Sequence, residues 1–291
     1  MITYDMPLYR PPSEGRNLII QATLGCSFNA CTFCSMYKDK SYRARALGDV
    51  FADIDRAHAV WPDAGRVFLA DGDALGLPGD HLLRILERLK ERFTGLTRVS
   101  CYATPINLKR KTPRELTALR AGGLSLLYFG LESGSNTVLR AVRKGRAETM
   151  VEALQKAAQA RMKVSATVIL GLGGRRLWRE HINATAELLN AAPPTYLSTL
   201  QLTLEQAIER HFLTAYDGGF DAQDDLAVLH EQRHLIAAID SAKGIIFRSN
   251  HASNCLALAG VLPKDRNRLI DEIDRALKGR TRLRQPALRH L

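Results

Sequence analysis

Six short, largely apolar runs start about 26 to 48 residues apart along this chain. They are Leu18–Thr23, Arg66–Ala70, Arg98–Tyr102, Leu124–Phe129, Lys163–Leu170 and Tyr196–Leu204. Segments with helical spacing lie between them. Val50, Ile54 and Ala57 share one helical face, and Leu82, Ile85, Leu86 and Leu89 form a stripe on another. Thr112-Pro113-Arg114-Glu115 reads as a helix start, with Thr as N-cap, Pro at the first position and Glu closing a capping box. Gly122-Gly123 stops that helix. Strands that alternate with helices at this period build βα units and a parallel sheet with right-handed crossovers. The fold class is therefore α/β. Six units fall short of the eight that close a TIM barrel.

The loop after the first run carries three cysteines within nine residues, Cys26, Cys31 and Cys34, spaced C-x4-C-x2-C. Thiolates are soft ligands, which suits zinc or iron–sulfur. A structural zinc site needs four protein ligands, and the nearest histidine in sequence is His58. Iron–sulfur clusters are usually held by four cysteines. Three would leave one iron open to an external ligand, and hence to chemistry. A zinc site or a redox thiol group is the plain alternative.

In parallel βα architectures, sites gather at the carboxyl ends of the strands. Asp71-Gly72-Asp73 follows the second run, and Gly72 permits close backbone approach. The two carboxylates suit either a cation or a turn. Gly130-Leu131-Glu132-Ser133-Gly134 follows the fourth run, and a carboxylate there can accept two hydrogen bonds from a diol. Capping of the next helix by Ser133 or Ser135 is the bland reading. Ser165–Gly174 (SATVILGLGG) ends in glycines, but it is not G-x-G-x-x-G and no Lys-Ser/Thr follows, so a phosphate cradle is weakly supported.

Taken in order, these motifs resemble the radical S-adenosylmethionine (SAM) superfamily. Its usual signature is C-x3-C-x2-C with an aromatic before the last cysteine. Phe33 supplies the aromatic, and the first gap here is one residue longer. The resemblance implies an open (β/α)6 TIM-like partial barrel with a short leader over residues 1–204. An α/β extension, 205–291, would cover its open side. It implies that Cys26, Cys31 and Cys34 bind a [4Fe–4S] cluster whose fourth iron chelates SAM. One electron then cleaves the sulfonium to methionine and a 5′-deoxyadenosyl radical, which abstracts hydrogen from a substrate. Gly72 and Asp73 align with a SAM amino-group motif, and Glu132 and Ser133 with the G-x-E-S-G SAM motif. Ile169 and Gly171 align with the adenine-contacting strand. The downstream VLRAVRKG is similar to the family too. An electron donor such as flavodoxin or ferredoxin is implied. The motifs resemble the branch of oxygen-independent coproporphyrinogen oxidases, methylthiotransferases and the elongator catalytic subunit.

Five cysteines, three of them clustered, argue against a secreted disulfide framework and for a reducing compartment. The first residues hold no apolar signal core, and no apolar run approaches the ~20 residues that span a bilayer. The expected location is the cytoplasm, with no membrane partner. A net charge of +11 permits nucleic acid or another anionic partner without requiring one. Basic residues after strands one, three and five, among them Lys38, Lys40, Lys109, Arg110, Lys111, Arg175 and Arg176, suggest an anionic substrate. Lys109–Lys111 precede the N-cap Thr112, where cations oppose the helix dipole. Ser249–Cys255 (SNHASNC) offers His251 as an acid or base, and Cys255 as a thiol. A hydrogen-bonded turn explains that run equally well. Cys101, inside a strand, reads as core. Two rivals to a radical SAM enzyme with an unknown substrate follow: a non-catalytic iron–sulfur or zinc sensor, and an RNA-modifying member of the same superfamily.

Overall fold

The computed structural model describes residues 2–216 and 219–289. In chain order the elements are β1 (Leu18–Gln21), β2 (Thr23–Leu24), β3 (Arg43–Ala44), α1 (Leu47–Val60), β4 (Arg66–Ala70), α2 (Gly79–Arg92) and β5 (Arg98–Ala103). Then come α3 (Pro105–Arg110), α4 (Pro113–Ala121), β6 (Leu124–Glu132), α5 (Asn136–Ala141), α6 (Ala147–Gln159) and β7 (Lys163–Leu170). The rest are α7 (Gly174–Ala191), β8 (Tyr196–Gln201), α8 (Gln206–Leu213), α9 (Asp225–Ala238), β9 (Ile245–Ser249), β10 (Leu258–Leu262) and α10 (Arg266–Leu277). Eight strands form one sheet in the order β1-β4-β5-β6-β7-β8-β9-β10. Pairing is parallel at β1/β4, β4/β5, β5/β6, β7/β8 and β8/β9, and antiparallel at β9/β10. The chain is α/β, as the alternation of runs requires. No helix among the described residues is long and apolar enough to cross a membrane.

The residues pack as two compact units. The first holds Asn29 and the residues before it, Cys34–Phe129 and Gln155–Val164; the second holds Ala30–Phe33, Gly130–Leu154 and Ser165 onward. In the first unit, β1 and most of β4 are buried on both faces, which accounts for their unbroken apolar runs. The predicted α2 stripe of Leu82, Ile85, Leu86 and Leu89 is fully buried, each side chain contributing roughly 1.5–3 kcal/mol. The Thr112 capping box forms as expected: Glu115 N–H donates to Thr112 Oγ1 at 3.1 Å, and Thr112 N–H donates to Glu115 Oε2 at 2.7 Å.

The leader is irregular apart from a 3-10 turn at Pro12–Glu14, yet it is built into this unit. Tyr4 and Leu8 pack on the buried cluster of Ile19, Phe68 and Ala70. Glu14 is fully buried and accepts hydrogen bonds from Arg98 (2.9 Å), Ser100 (3.0 Å) and Tyr128 (2.5 Å). Those donors answer the desolvation of its carboxylate.

In the second unit α7 and α9 pack together, as do α9 and α10. The apolar segment predicted at Ile245–Phe247 is the start of β9, and β10 was not foreseen. Leu258-Ala-Gly-Val-Leu is short and contains a glycine, so its alternation is too weak to separate strand from loop. Strand six ends at Gln201 rather than Leu204, and the helix after strand five begins at Gly174 rather than Leu177.

Candidate functional site

In the first unit, Gly25 turns the chain from β2 into the cysteine loop with a φ of 68°, a conformation that favours glycine. Asp71, at the end of β4, is fully buried. It receives the Gly25 N–H at 3.2 Å, the Tyr37 hydroxyl at 3.1 Å and the Lys40 ammonium at 3.4 Å. Burial pulls the Asp71 pKa up, and Lys40 with the two other donors pulls it back. Asp73, also fully buried, accepts from the Ser27 hydroxyl and from Asn107 Nδ2. The two aspartates thus brace the cysteine loop before Cys26, after it, and beyond Cys34. Asp73 precedes the 3-10 turn Ala74–Gly76 without capping it, and its carboxylate ties the cysteine loop to Asn107 instead.

Gly72 also serves this packing. A Cβ there would lie 2.6 Å from a Tyr37 ring carbon and 3.1 Å from Cys26 Cβ. Its missing side chain makes room for Tyr37.

None of the three loop cysteines is in a disulfide; Cys31 is buried, and Cys26 and Cys34 are half-buried. Among the described residues no three His, Cys, Asp or Glu side chains are gathered as a ready metal-ligand set. The donor chemistry fits iron–sulfur better than zinc, because three thiols without a fourth protein ligand leave a closed tetrahedral site incomplete. The hydroxyl of Thr32, between Cys31 and Phe33, is buried and without a hydrogen-bond partner. A cluster sulfur is a suitable acceptor for it.

In the second unit, Glu132 ends β6 with a φ of 64°. Left-handed backbone at a residue with a Cβ costs ~1–3 kcal/mol and recurs at functional sites. Its carboxylate folds back over Gly130, where a Cβ would lie 2.7 Å from Lys144 Nζ and closer still to Glu132 Oε1. That accounts for the glycine two residues before the glutamate. Lys144 Nζ lies 3.0 Å from Glu132 Oε1 and 6.0 Å from the centre of the Phe33 ring. Lys144 was not singled out from sequence, although it lies in the VLRAVRKG stretch. Only the fold sets it against Glu132.

Ser133 is fully buried. Its hydroxyl meets His181 Nδ1 at 2.7 Å and accepts the Ser135 N–H at 3.0 Å. Ser135, the other candidate cap, accepts the Val138 N–H at the start of α5. His181 Nε2 lies 3.1 Å from the Ile169 carbonyl, so α7 joins the ends of β6 and β7. The Ile169 side chain joins a cluster with Val138, Leu172 and Phe33. Gly171, at a φ of 81°, donates its N–H to Glu231 Oε1 at 2.8 Å. Glu231 was not anticipated, since a lone glutamate in an α9 segment carries no motif.

Burial pushes Glu231 up to about 7, against the Gly171 N–H. Burial pulls the neighbouring His181 down to about 4. The signs oppose each other. The raised acid stabilises the fold below pH 4.5, and that contribution is lost as pH rises through about 7. The lowered histidine stabilises the fold above pH 6.5, and that contribution is lost as pH falls through about 4. Glu231→Gln keeps the shape and removes the first effect. Relative to wild type, its stability in urea should improve by ~3 kcal/mol between pH 4.5 and 7.5. A constant difference across that range would refute a displaced Glu231.

The Ser249–Cys255 run is stitched internally. Asn254 accepts the Gln201 N–H at 2.7 Å and donates to the Thr199 carbonyl at 2.7 Å and to Ser249 Oγ at 3.0 Å. Arg284 donates to the carbonyls of His251 and Ala252 at 2.8 Å. The His251 ring is half-buried, with Nδ1 2.9 Å from Ser253 Oγ, and burial followed by Arg284 lowers its pKa. Cys255 is buried and its thiol is pushed up to about 11 by desolvation, which makes it a poor nucleophile. Cys101 is fully buried in β5, as expected.

The basic rim does not take the form expected. Lys109 and Arg110 occupy the last turn of α3, where the dipole favours them, and Lys111 is buried and donates to the Leu77 carbonyl at 2.6 Å. Lys38 donates to the Asn29 carbonyl, and Arg175 pairs with Asp224 at 2.6 Å. Lys109–Lys111 still precede the N-cap Thr112, but α3, which the sequence did not suggest, gives Lys109 and Arg110 a helix end that favours them, so no compensating anion is required there.

The radical SAM superfamily profile matches residues 20–189. An uncharacterized methyltransferase of Pyrococcus horikoshii is 26% identical over 191 residues, covering 63% of this chain and 39% of that protein. The chain therefore spans well under half the length of the curated relatives it matches. Coproporphyrinogen III oxidase (HemN) from Escherichia coli, a radical SAM enzyme, superposes with a TM-score of 0.57 at 19% identity, over 76% of this chain and 51% of that one. The radical SAM methyltransferase TsrM from Kitasatospora setae, with cobalamin and a [4Fe–4S] cluster bound, gives 0.51 at 16% identity, over 64% and 36%. These two likenesses carry the fold alone, that of a partial TIM-like barrel. Through the profile match, which spans more than half its length, the chain belongs to the radical SAM superfamily and is an enzyme whose cofactors are a [4Fe–4S] cluster and SAM.

Proposed function

We propose that this enzyme uses a 5′-deoxyadenosyl radical to remove hydrogen from an organic substrate. The observation that carries this reading is the three-thiol loop, braced by Asp71 and Asp73, with no fourth Cys or His in the loop's own sequence. Cys26, Cys31 and Cys34 would each hold one iron and leave the fourth to SAM. When bound, the cluster supplies the electron that cleaves the SAM sulfonium. Glu132 would accept hydrogen bonds from SAM hydroxyls or its amino group, exchanging Lys144 for the ligand. Ile169 would offer an apolar surface to adenine, and Gly171 its backbone. Glu231 and His181 fix that strand end. His251, kept largely neutral near pH 7 by burial and Arg284, is the residue offered for a proton transfer. Residues 1–204 would carry the radical chemistry, and 205–291 would complete the substrate end.

The test is product analysis. Anaerobic, reduced protein given SAM should release 5′-deoxyadenosine slowly, even without substrate. Protein with one tightly bound zinc and no SAM cleavage would instead establish the sensor reading.

A further inference from the structure

In the second unit, a concavity of about 350 Å³ is lined by Asn136, Leu139, Arg140, Arg143, Gly145 and Arg146. All three arginines are exposed. Arg146 has one acidic contact, an exposed pair with Glu148 at 3.4 Å. Arg140 and Arg143 have no carboxylate within ion-pair distance among the described residues. Three guanidinium groups around one small hollow repel one another; the helix dipole favours Arg140, in the last turn of α5, but Arg143 and Arg146 lie beyond that helix. Surface cations that serve stability are usually interspersed with acids.

The inner side of the same segment meets the cysteine loop. Thr32 N–H donates to the Val142 carbonyl at 3.2 Å. Phe33 packs on Val138 and Val142, and the Lys144 ammonium lies over its ring. Residues 138–146 therefore touch the loop from within, at Val138, Val142 and Lys144. Outward they present Arg140, Arg143 and Arg146.

We propose that this arginine-lined hollow is the docking surface for the acidic protein that delivers the electron. The proposal rests on the cluster lying at Cys26, Cys31 and Cys34. One electron leaves the donor, oxidising it by one equivalent, and enters the cluster, reducing it by one; no bond forms or breaks. Electron-transfer partners use small, transient interfaces, and complementary charge raises their encounter rate more than their affinity. A short stretch of one loop therefore suffices, provided that its cations are exposed and close to the acceptor. An acidic donor supplies the carboxylates that Arg140 and Arg143 lack.

The probe is a bacterial flavodoxin, reduced chemically, with photoreduced deazaflavin as the small uncharged comparison. The variant is Arg140→Gln/Arg143→Gln/Arg146→Gln, on exposed positions that leave Lys144 and Glu132 in place. Stopped-flow bleaching of the cluster should show the flavodoxin rate falling about tenfold or more at low salt, and losing most of its salt dependence. The deazaflavin rate should stay within about twofold. Titration of labelled, oxidised flavodoxin against the cluster-free chain should show the same loss of affinity. That binding readout stands apart from whether the cluster assembles, so failure here and failure of the cluster assignment are distinguishable. An unchanged flavodoxin rate and affinity would overturn the proposal. So would a variant that keeps flavodoxin binding but loses co-purifying RNA, which would assign the hollow to nucleic acid.

Discussion

Alanine in place of Cys26, Cys31 or Cys34 is expected to abolish the cluster, whichever of the three is changed. Wild-type protein reconstituted anaerobically should be brown and hold about four irons. Each single variant should stay colourless, because two thiolates cannot retain a cube that three already hold with one iron open. Cys101→Ala and Cys255→Ala should keep the full iron content, since both thiols are buried apart from the loop motif. Circular dichroism and urea titration separate loss of cluster from loss of fold. A Cys31→Ala protein that remains brown with four irons would remove that cysteine from the ligand set.

The second large effect falls on SAM. Glu132→Ala should bind SAM roughly 10- to 150-fold more weakly in calorimetry on cluster-loaded protein, the equivalent of ~1.5–3 kcal/mol for a hydrogen bond to a charged group. Lys144 complicates the alanine variant, since its partly buried ammonium would lose its partner at 3.0 Å. Glu132→Gln keeps the shape and is the cleaner comparison; it too should lose affinity while iron content stays normal. Normal SAM affinity in both variants would take Glu132 out of the SAM site.

Runs of apolar residues made β4, β5 and β7 legible almost to the residue, whereas β6 runs three residues past Phe129 to Glu132, into what the sequence reads as loop. The thiol spacing and the G-x-E motif were legible for a different reason: they are local in sequence. What sequence did not reveal is long-range. Asp71 was visible only as part of a weak Asp-Gly-Asp, and its bonds to Gly25, Tyr37 and Lys40 span 31 to 46 residues. The packing of Gly72 against Tyr37 and Cys26 was likewise invisible, because glycine in a sequence does not say which neighbour needs the space. The basic triplet Lys109–Lys111 was misread because α3 is only six residues long, too short for a periodic signal.

Glu14 has a consequence for how the chain is made. Its partners Ser100 and Tyr128 lie 86 and 114 residues downstream. Synthesis at ~5–20 residues per second leaves the leader waiting on the order of ten seconds for Tyr128 to emerge. During that interval Tyr4, Leu8 and the β1 run have no sheet to cover them. Contacts this distant in sequence also form slowly in a free chain. The leader thus leaves the ribosome well before the partners that bury it, and a nascent chain stalled before β6 should be a good client for chaperones that hold exposed apolar segments.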